Sequence, residues 1–230
     1  MSETTAKAPA DYGPQQFPDH LGFELWRFER ALERGLIPQP DVDGRRWSAT
    51  IVDAAAARVE EIRAATGTLP DMGAIRAAEL LADRLGVPAD ADTVAELARA
   101  GLIPRTGSYK GHALYDGLAL EQFTDRAALE RAHRDGRLLD RYTAARHLGI
   151  RDVDFGHLTR SGRLSPAARV HSRYQPRRSA PAVALFRRGD LDDLLADPAI
   201  DWDAVRATRK GRPSLLARLT SPAKAPVTRR

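Results

Sequence analysis

Apolar residues recur at helical spacing along most of the chain, and glycines, prolines and short polar loops separate the apolar segments. In the stretch MGAIRAAELLADRLGV, for example, Ile75, Ala78, Leu81 and Leu85 fall on one helical face. The stretch RTGSYKGHALY is different, because its glycines mark the bends of a compact β-hairpin. The pattern therefore predicts a mainly α protein with short β wings.

One order of anchor residues occurs three times along the chain. Each copy has a Leu-Gly pair, a second glycine, a proline, a polar loop and an aromatic residue. The anchors are Leu21, Gly22, Gly35, Pro38 and Trp47, then Leu85, Gly86, Gly101, Pro104 and Tyr115, then Leu148, Gly149, Gly162, Pro166 and Phe186. A glycine ends a helix in the left-handed conformation and a proline prevents its continuation. Each copy therefore predicts two helices joined by a turn and followed by a β wing.

These copies divide the chain into three tandem winged-helix-like modules. We place the modules at residues 17–68, 72–138 and 139–200. Residues 1–16 are expected to be a disordered N-terminus, and residues 201–230 a basic and largely disordered tail with one short helix in DWDAVRAT, because both segments are rich in polar residues and proline.

Local signals predict where individual helices begin and end. The expected helix N-caps are Thr124, Thr143, Asp152 or Asp154, and Asp190. In the first copy, SATIVDAAAARVEEIRAAT predicts one helix that stops at Gly67. Two alternatives remain for the residues before it, namely two helices separated at Gly22 or one continuous helix. The apolar face of that continuous helix would be Leu21, Leu25, Phe28 and Leu32.

Composition excludes several classes of protein. The chain has no cysteine, which excludes disulfides, thiolate zinc sites and cysteine nucleophiles. No apolar run approaches the roughly 18 residues that span a bilayer, and the N-terminus does not resemble a secretory signal. The six histidines are scattered, and no phosphate-binding loop or nucleophile motif is present. We therefore expect a cytoplasmic protein that is not an enzyme and has no cofactor, metal or membrane partner. Abundant Ala and Arg are typical of GC-rich bacterial genomes.

The formal charge is distributed unevenly. The total is +5, with −4 in residues 1–73, −1 in residues 74–139 and +10 in residues 140–230. This asymmetry predicts a polyanionic partner for the C-terminal part of the chain. The alternative is an arginine-rich surface that only keeps the protein in solution.

The third copy has the most complete set of anchors. Its pattern consists of Thr143, Ala144, Ala145, Leu148, Gly149, Ile150, Leu158, Gly162, Leu164, Pro166, Phe186, Asp190 and Leu191. These residues resemble the winged helix-turn-helix of MerR-like and excisionase-type proteins over about 55 residues, although the spacing at Thr143 differs by one. We expect Leu148, Leu158, Leu164, Phe186 and Leu191 to form one small core. The long dimerisation helix and effector domain of MerR regulators are not evident, so the resemblance implies neither inducer sensing nor metal binding.

The resemblance implies that the second helix enters the major groove of DNA and that the wing contacts the backbone or minor groove. In the third copy the candidates on the helix are Arg151, His157 and Arg160. On the wing they are Arg169, His171, Arg173, Tyr174, Arg177 and Arg178. In the first copy they are Arg27, Arg30 and Arg34 on the helix and Arg45 and Arg46 on the wing.

Alternatives remain for the first two copies. In the first, Glu24, Glu29 and Glu33 alternate with the arginines, so this face is equally typical of a solvated helix with ion pairs. In the second, the helix offers only Thr93, Glu96 and Arg99, which favours a structural role or binding to a second protein or to another copy of the chain.

The sequence and the resemblance therefore predict a protein that binds double-stranded DNA without catalysis, and we expect it to be associated with the nucleoid. The expected role is that of a transcriptional regulator or of an excisionase-type recombination accessory factor. The alternative is a protein-interaction adaptor built from winged-helix modules that no longer bind DNA. A nucleic-acid enzyme is the least favoured class, because its motifs are missing.

Overall fold

The computed structural model describes residues 10–171 and 182–218. These residues form two compact units, and the chain passes between them more than once. The first unit contains the residues up to Gly73 together with Ile103–Thr124, and the second contains Ala74–Leu102 together with the residues from Asp125 onward. Helices predominate in both and all strand pairs are antiparallel, which confirms the predicted mainly α class with short strands.

The elements follow one another in a regular order. Up to Gly73 they are β1 (Asp11–Tyr12), α1 (Gln16–Leu21), α2 (Leu25–Glu33), β2 (Trp47–Ser48), α3 (Ala49–Ala56), α4 (Val59–Thr66) and β3 (Met72–Gly73). Then come α5 (Ala74–Leu85), α6 (Ala91–Arg99), β4 (Arg105–Tyr109), β5 (His112–Tyr115) and α7 (Gly117–Gln122). The remaining elements are α8 (Arg126–Gly136), β6 (Leu138–Asp140), α9 (Arg141–Leu148), α10 (Asp152–Arg160), β7 (Ala168–Val170), β8 (Val183–Arg187), α11 (Arg188–Leu195), α12 (Trp202–Ala207) and a 3-10 turn (Leu215–Arg218).

A short strand that the sequence did not predict opens each of the three copies. It pairs with the strand that follows the wing loop, and the sheets have the orders β1-β2, β3-β5-β4 and β6-β8-β7. The aromatic anchor lies opposite a buried residue of the opening strand in every case. The three pairs are Tyr12 with Trp47, Met72 with Tyr115, and Leu139 with Phe186, and all six side chains are buried. The order of anchors that the three copies share thus corresponds to one repeated strand pairing.

The anchor glycines have the left-handed conformation that the sequence predicts. Gly149 ends α9 with φ of 70°, and Gly162 follows α10 with φ of 72°. The amide of Ile150 then donates to the carbonyl of Ala145 at 3.0 Å, which closes the end of α9. The corresponding glycines of the other copies also have positive φ, namely Gly22, Gly35, Gly86 and Gly101.

Aromatic side chains dominate the core of the first unit. Phe17, Phe28 and Trp47 pack edge to face, with ring centroids between 5.1 and 5.4 Å apart. The indole nitrogen of Trp47 donates to the carbonyl of Pro38 at 2.8 Å, which joins two anchors of the first copy. Fully buried Ile37 completes this core.

The core of the second unit contains the five residues predicted from the sequence. Leu148, Leu158, Leu164, Phe186 and Leu191 are all buried and belong to one cluster, which confirms that prediction. Phe155 packs edge to face on Phe186 at 4.9 Å between centroids. In the same unit, α6 packs against α5 and α8.

The two ends predicted to be disordered contain ordered structure. Asp11 and Tyr12 form β1, and α12 and the 3-10 turn bury Trp202, Val205 and Leu216 in the core of the second unit. The short helix predicted in DWDAVRAT is confirmed as α12. The prediction of disorder is wrong for residues 10–16 and 209–218, because a few large apolar side chains in a polar background were enough to bind these segments to the cores. Residues 1–9 and 219–230 lie outside the described part of the chain.

Several helix boundaries also differ from the prediction. Asp125 and Asp140 cap α8 and α9 in place of Thr124 and Thr143, each accepting an amide three residues on. The N-cap residues of α10 and α11 are Arg151 and Arg187, and the expected caps Asp152, Asp154 and Asp190 lie in the first turns. The single helix expected up to Gly67 is divided between α3 and α4. Of the two alternatives for the residues before it, the two helices separated at Gly22 are confirmed as α1 and α2, and the continuous helix is wrong.

Candidate nucleic-acid interface

Helix α10 has one buried and one open face. Phe155 and Leu158 point into the core, whereas Val153 and Arg160 are exposed and His157 is half-buried. With 3.6 residues per turn, these last three side chains lie on the same side of the helix. We call this side the outward face of α10.

The one exposed carboxylate of α10, Asp152, is already paired. Arg141 at the start of α9 contacts it twice, at 2.6 and 3.0 Å. On the outward face, Arg160 donates to the carbonyl of Gly156 at 3.0 Å, and its other nitrogen lies 3.2 Å from Nδ1 of His157. The outward face is therefore positive around Arg160, and the charge of Asp152 beside it is balanced by Arg141.

Arg151 holds the beginning of α10 instead of pointing into solvent. Its guanidinium contacts both carboxylate oxygens of Asp154, at 2.7 and 2.9 Å, and donates to the carbonyls of Arg209 and Arg212 at 3.0 and 3.3 Å. Burial raises the pKa of Asp154, but hydrogen bonds from Arg151 and Ser214 outweigh it, and the pKa is lowered overall. Arg151, predicted as a DNA contact, thus has a structural role in this unit.

The described part of the third wing exposes basic side chains. Arg169 on the edge strand β7 and His171 just after it are both exposed. Arg163, which the sequence did not single out, pairs with Asp197 at 2.6 Å and fixes the base of the wing. The candidates Arg173, Tyr174, Arg177 and Arg178 lie outside the described residues.

A second basic segment lies beside α10. Residues 209–212 follow α12, and we call them the basic loop because Arg209, Lys210 and Arg212 are exposed. An open groove of about 680 Å³ separates the loop from the helix, and it is lined by Arg151, Val153, Lys210, Gly211, Arg212 and Pro213. From the sequence, this segment was expected to belong to a disordered tail. The apolar Trp202, Val205 and Leu216 on both sides of it are the signal that could have identified it.

In the first copy, Arg30 is buried and bound to its own chain. Its guanidinium donates to the carbonyls of Thr66 and Leu69 at 2.6 and 2.9 Å and pairs with Asp71 at 2.6 Å. Burial raises the pKa of Asp71, but hydrogen bonds from Thr106, Gly117 and Arg30 lower it more. The prediction that Arg30 contacts DNA is wrong, because no duplex can reach a side chain enclosed in this way.

The other candidates of the first copy differ in their surroundings. Arg27 pairs with Glu24 and donates to the carbonyl of Gly67. Arg34 pairs with Asp116 at 3.2 Å, and Arg46 pairs with Asp11 at 2.6 Å. Arg45 is exposed and makes no ion pair with the residues that the structure describes. The glutamates that α2 exposes, Glu29 and Glu33, give its open side an acidic character.

In the second copy, α6 is enclosed. Thr93 is fully buried and takes part in a capping box with Asp90, and Glu96 pairs with Arg187 at 2.9 Å and Arg99 at 2.5 Å. Burial raises the pKa of Glu96, but these arginines lower it more. A Cβ at Gly136, the last residue of α8, would lie 2.8 Å from the carbonyl of Asp92, so the two helices approach very closely. Thr93 and Glu96 therefore stabilise the second unit from within.

The hairpin of β4 and β5 is a further basic feature, which the sequence did not predict as a DNA-binding site. Every residue of β4 is exposed, and Lys110 at the turn lies 5.1 Å from the ring centroid of Tyr109. Arg105 and His112 are exposed on the same hairpin.

Over the described ranges, no helix is long and apolar enough to cross a membrane, and no three histidine or carboxylate side chains are grouped so that they could bind a metal ion. Comparisons with protein-family models, with curated proteins and with solved structures found no match.

Proposed function

We propose that the protein binds double-stranded DNA, without catalysis, through the outward face of α10 and the wing formed by β7 and β8. The observation that carries this proposal is the difference between the three second helices. In the described structure, α2 exposes acidic side chains and α6 is enclosed, whereas α10 exposes Arg160 and has its one exposed carboxylate, Asp152, neutralised by Arg141. A helix with such a face fits the major groove when a turn and a first helix precede it.

Charge supports the same assignment. Residues 140–230 have a formal charge of +10, whereas residues 1–139 sum to −5. Arginines on the helix can bind guanine in two places at once, and arginines on the wing neutralise phosphates. Arg160 lies on the helix and Arg169 on the wing.

The repeated pairing of an opening strand with an aromatic anchor supports three tandem winged-helix-like copies. In this proposal only the third copy inserts a helix into DNA, and the first two stabilise the protein or bind another protein. The role as a transcriptional regulator or as an excisionase-type accessory factor rests on the resemblance of the third copy to those families.

The test measures binding of the whole chain to a fluorescent duplex of random sequence by anisotropy. The Arg160→Ala, Arg169→Ala double variant should lose about 30-fold in affinity at 0.15 M salt. On a duplex of random sequence no preferred base is bound, so both arginines act through their charge and each neutralises about one phosphate. Log affinity then changes by about 0.9 per phosphate contact for each tenfold change in salt, or about fivefold per contact between 1 M and 0.15 M.

The matched control is Arg131→Ala with Arg137→Ala, which removes the same charge from exposed positions on α8 and just after it. It should lose less than about threefold, because long-range attraction alone is affected. Equal losses in the two variants would remove α10 and the wing from the interface. If the whole chain binds no duplex, the adaptor function replaces this proposal.

A target sequence obtained by selection then distinguishes the roles of the two arginines in binding. Arg169→Ala should weaken binding to target and random duplexes alike, whereas Arg160→Ala should reduce the ratio of the two affinities by about tenfold, because base contacts provide discrimination. A change in that ratio for Arg169→Ala and none for Arg160→Ala would contradict the assignment.

A further inference from the structure

The basic loop at residues 209–212 is an exposed cluster of cations with a defined position. Arg209, Lys210 and Arg212 are all exposed, and they make no ion pair within the part of the chain that the structure describes. Gly211 has φ of 85°, a left-handed conformation that allows the loop to turn sharply. Three cations within four residues produce a local positive field that attracts anions.

The loop is held in place without using these cations. Arg151 donates to the backbone carbonyls of Arg209 and Arg212, not to their side chains. On either side of the loop, Val205 and Leu216 are buried in the core of the second unit. Backbone and apolar contacts therefore position the loop, and its three charged side chains remain available to a partner.

The position of the loop relates it to the outward face of α10. Val153 belongs to that face, and it lines the same open groove as Lys210 and Arg212. The loop thus borders the N-terminal half of α10, whereas the wing follows the C-terminal end of the helix in the chain. A helix that lies in a major groove about 12 Å wide has a phosphate backbone on each side.

We propose that the basic loop is a second phosphate-contact site, which binds the DNA backbone beside the N-terminal half of α10. This inference rests on the proposed function, because the duplex bound by α10 brings the phosphates to the loop. The loop recognises no base, since its cations lie beside the helix and not on it. It adds affinity that is independent of sequence and strongly dependent on salt.

The test uses the whole chain and a duplex of random sequence at four salt concentrations. The variant Arg209→Ala, Lys210→Ala, Arg212→Ala should lose about 100-fold in affinity at 0.15 M salt, and the slope of log affinity against log salt should become shallower by up to about 2.7. The control Arg76→Ala, Arg131→Ala, Arg137→Ala removes the same charge from other exposed positions of the second unit. It should change affinity by less than about threefold and leave the slope nearly unchanged.

A charge-retaining variant shows whether charge is the cause. Arg209→Lys with Arg212→Lys should bind within about threefold of the wild type, because phosphate neutralisation needs a cation and not a guanidinium. If this variant loses as much affinity as the alanine variant, the inference is overturned. A column of immobilised poly-L-glutamate tests the alternative partner. If the column retains the wild type but not the alanine variant, and the two bind duplex DNA equally, the partner of the loop is an acidic protein and not DNA.

The failure of this inference is distinct from the failure of the proposed function. If the wild-type chain binds duplex DNA and the loop variant matches its control in affinity and slope, only the inference on the loop is wrong. If the wild-type chain binds no duplex at any salt concentration, both are wrong.

Discussion

Replacing Arg30 by alanine should destabilise the first unit without affecting DNA binding. The change removes two hydrogen bonds to the carbonyls of Thr66 and Leu69 and leaves Asp71 without its cation. Removing one partner of a buried ion pair costs about 3–5 kcal/mol, and we expect about 3 kcal/mol here because water can reach Asp71. Arg34→Ala is the control, since the partly exposed pair of Arg34 with Asp116 contributes about 0–1 kcal/mol.

Urea unfolding followed by tryptophan fluorescence measures the effect. Trp26 and Trp47 belong to the first unit and Trp202 to the second, so a Trp202→Phe background reports on the first unit alone. With a slope of about 2 kcal/mol per molar urea, Arg30→Ala should lower the midpoint by about 1.5 M. The folded variant should bind duplex DNA with wild-type affinity.

The pH dependence of this effect provides an internal check. The pKa of Asp71 is lowered in the folded protein, so its charge stabilises the fold above pH about 4 and stops doing so as the pH falls through the folded pKa. The difference in stability between wild type and Arg30→Ala should therefore shrink in acid. A cost below about 1 kcal/mol at pH 7, equal to that of Arg34→Ala, would refute the assignment of Arg30 as a structural residue.

Three other predictions concern stability. Phe186→Ala should cost about 3 kcal/mol in thermal or urea unfolding, since the ring is buried in the core of the second unit, and a cost near zero would contradict this packing. Gly117→Ala should cost more than about 2 kcal/mol, because its Cβ would lie 2.2 Å from the carbonyl oxygen of Leu69, whereas Gly107→Ala, with nothing within 4 Å, should cost less than about 1 kcal/mol. The lowered pKa of Asp154 predicts that the second unit loses stability as the pH falls below about 4, and this loss should be smaller in Asp154→Asn.

The features that the sequence predicted well are those determined by local chemistry. Gly149 and Gly162 end helices because a residue without a Cβ adopts positive φ at little cost. The repeated order of glycine, proline, polar loop and aromatic residue was enough to place Phe186 in the core, since a small module needs one large side chain there. The mainly α class followed from the helical spacing of the apolar residues.

The features that the sequence did not predict depend on contacts between distant residues. Arg30 and Arg34 have the same helical spacing, yet Arg30 is buried against Asp71, 41 residues away, and Arg34 is partly exposed. Periodicity cannot distinguish them, because a buried arginine and a partly exposed one are both polar residues on the same helical face. The opening strands of two or three residues are too short to show an alternating pattern.

The same limit applies to the candidate site. The sequence identified α10 and the wing, but it assigned the basic loop to a disordered tail. Arg151 holds that loop through the backbone carbonyls of Arg209 and Arg212. Because every residue has a backbone carbonyl, this contact cannot be predicted from the residue types.

The division of the second copy between the two units constrains how the protein can fold during its synthesis. β3 has no strand to pair with until β5 has been made, and α6 lacks the helix α8 that covers it until the residues after Asp125 have followed. At about 5–20 residues per second, the ribosome needs about 3 to 10 s to add the roughly fifty residues from Gly73 to Thr124. Between the synthesis of α6 and that of β5, the nascent chain has both an unpaired β3 and an uncovered α6. We therefore expect a chaperone at the tunnel exit to raise the yield of native protein.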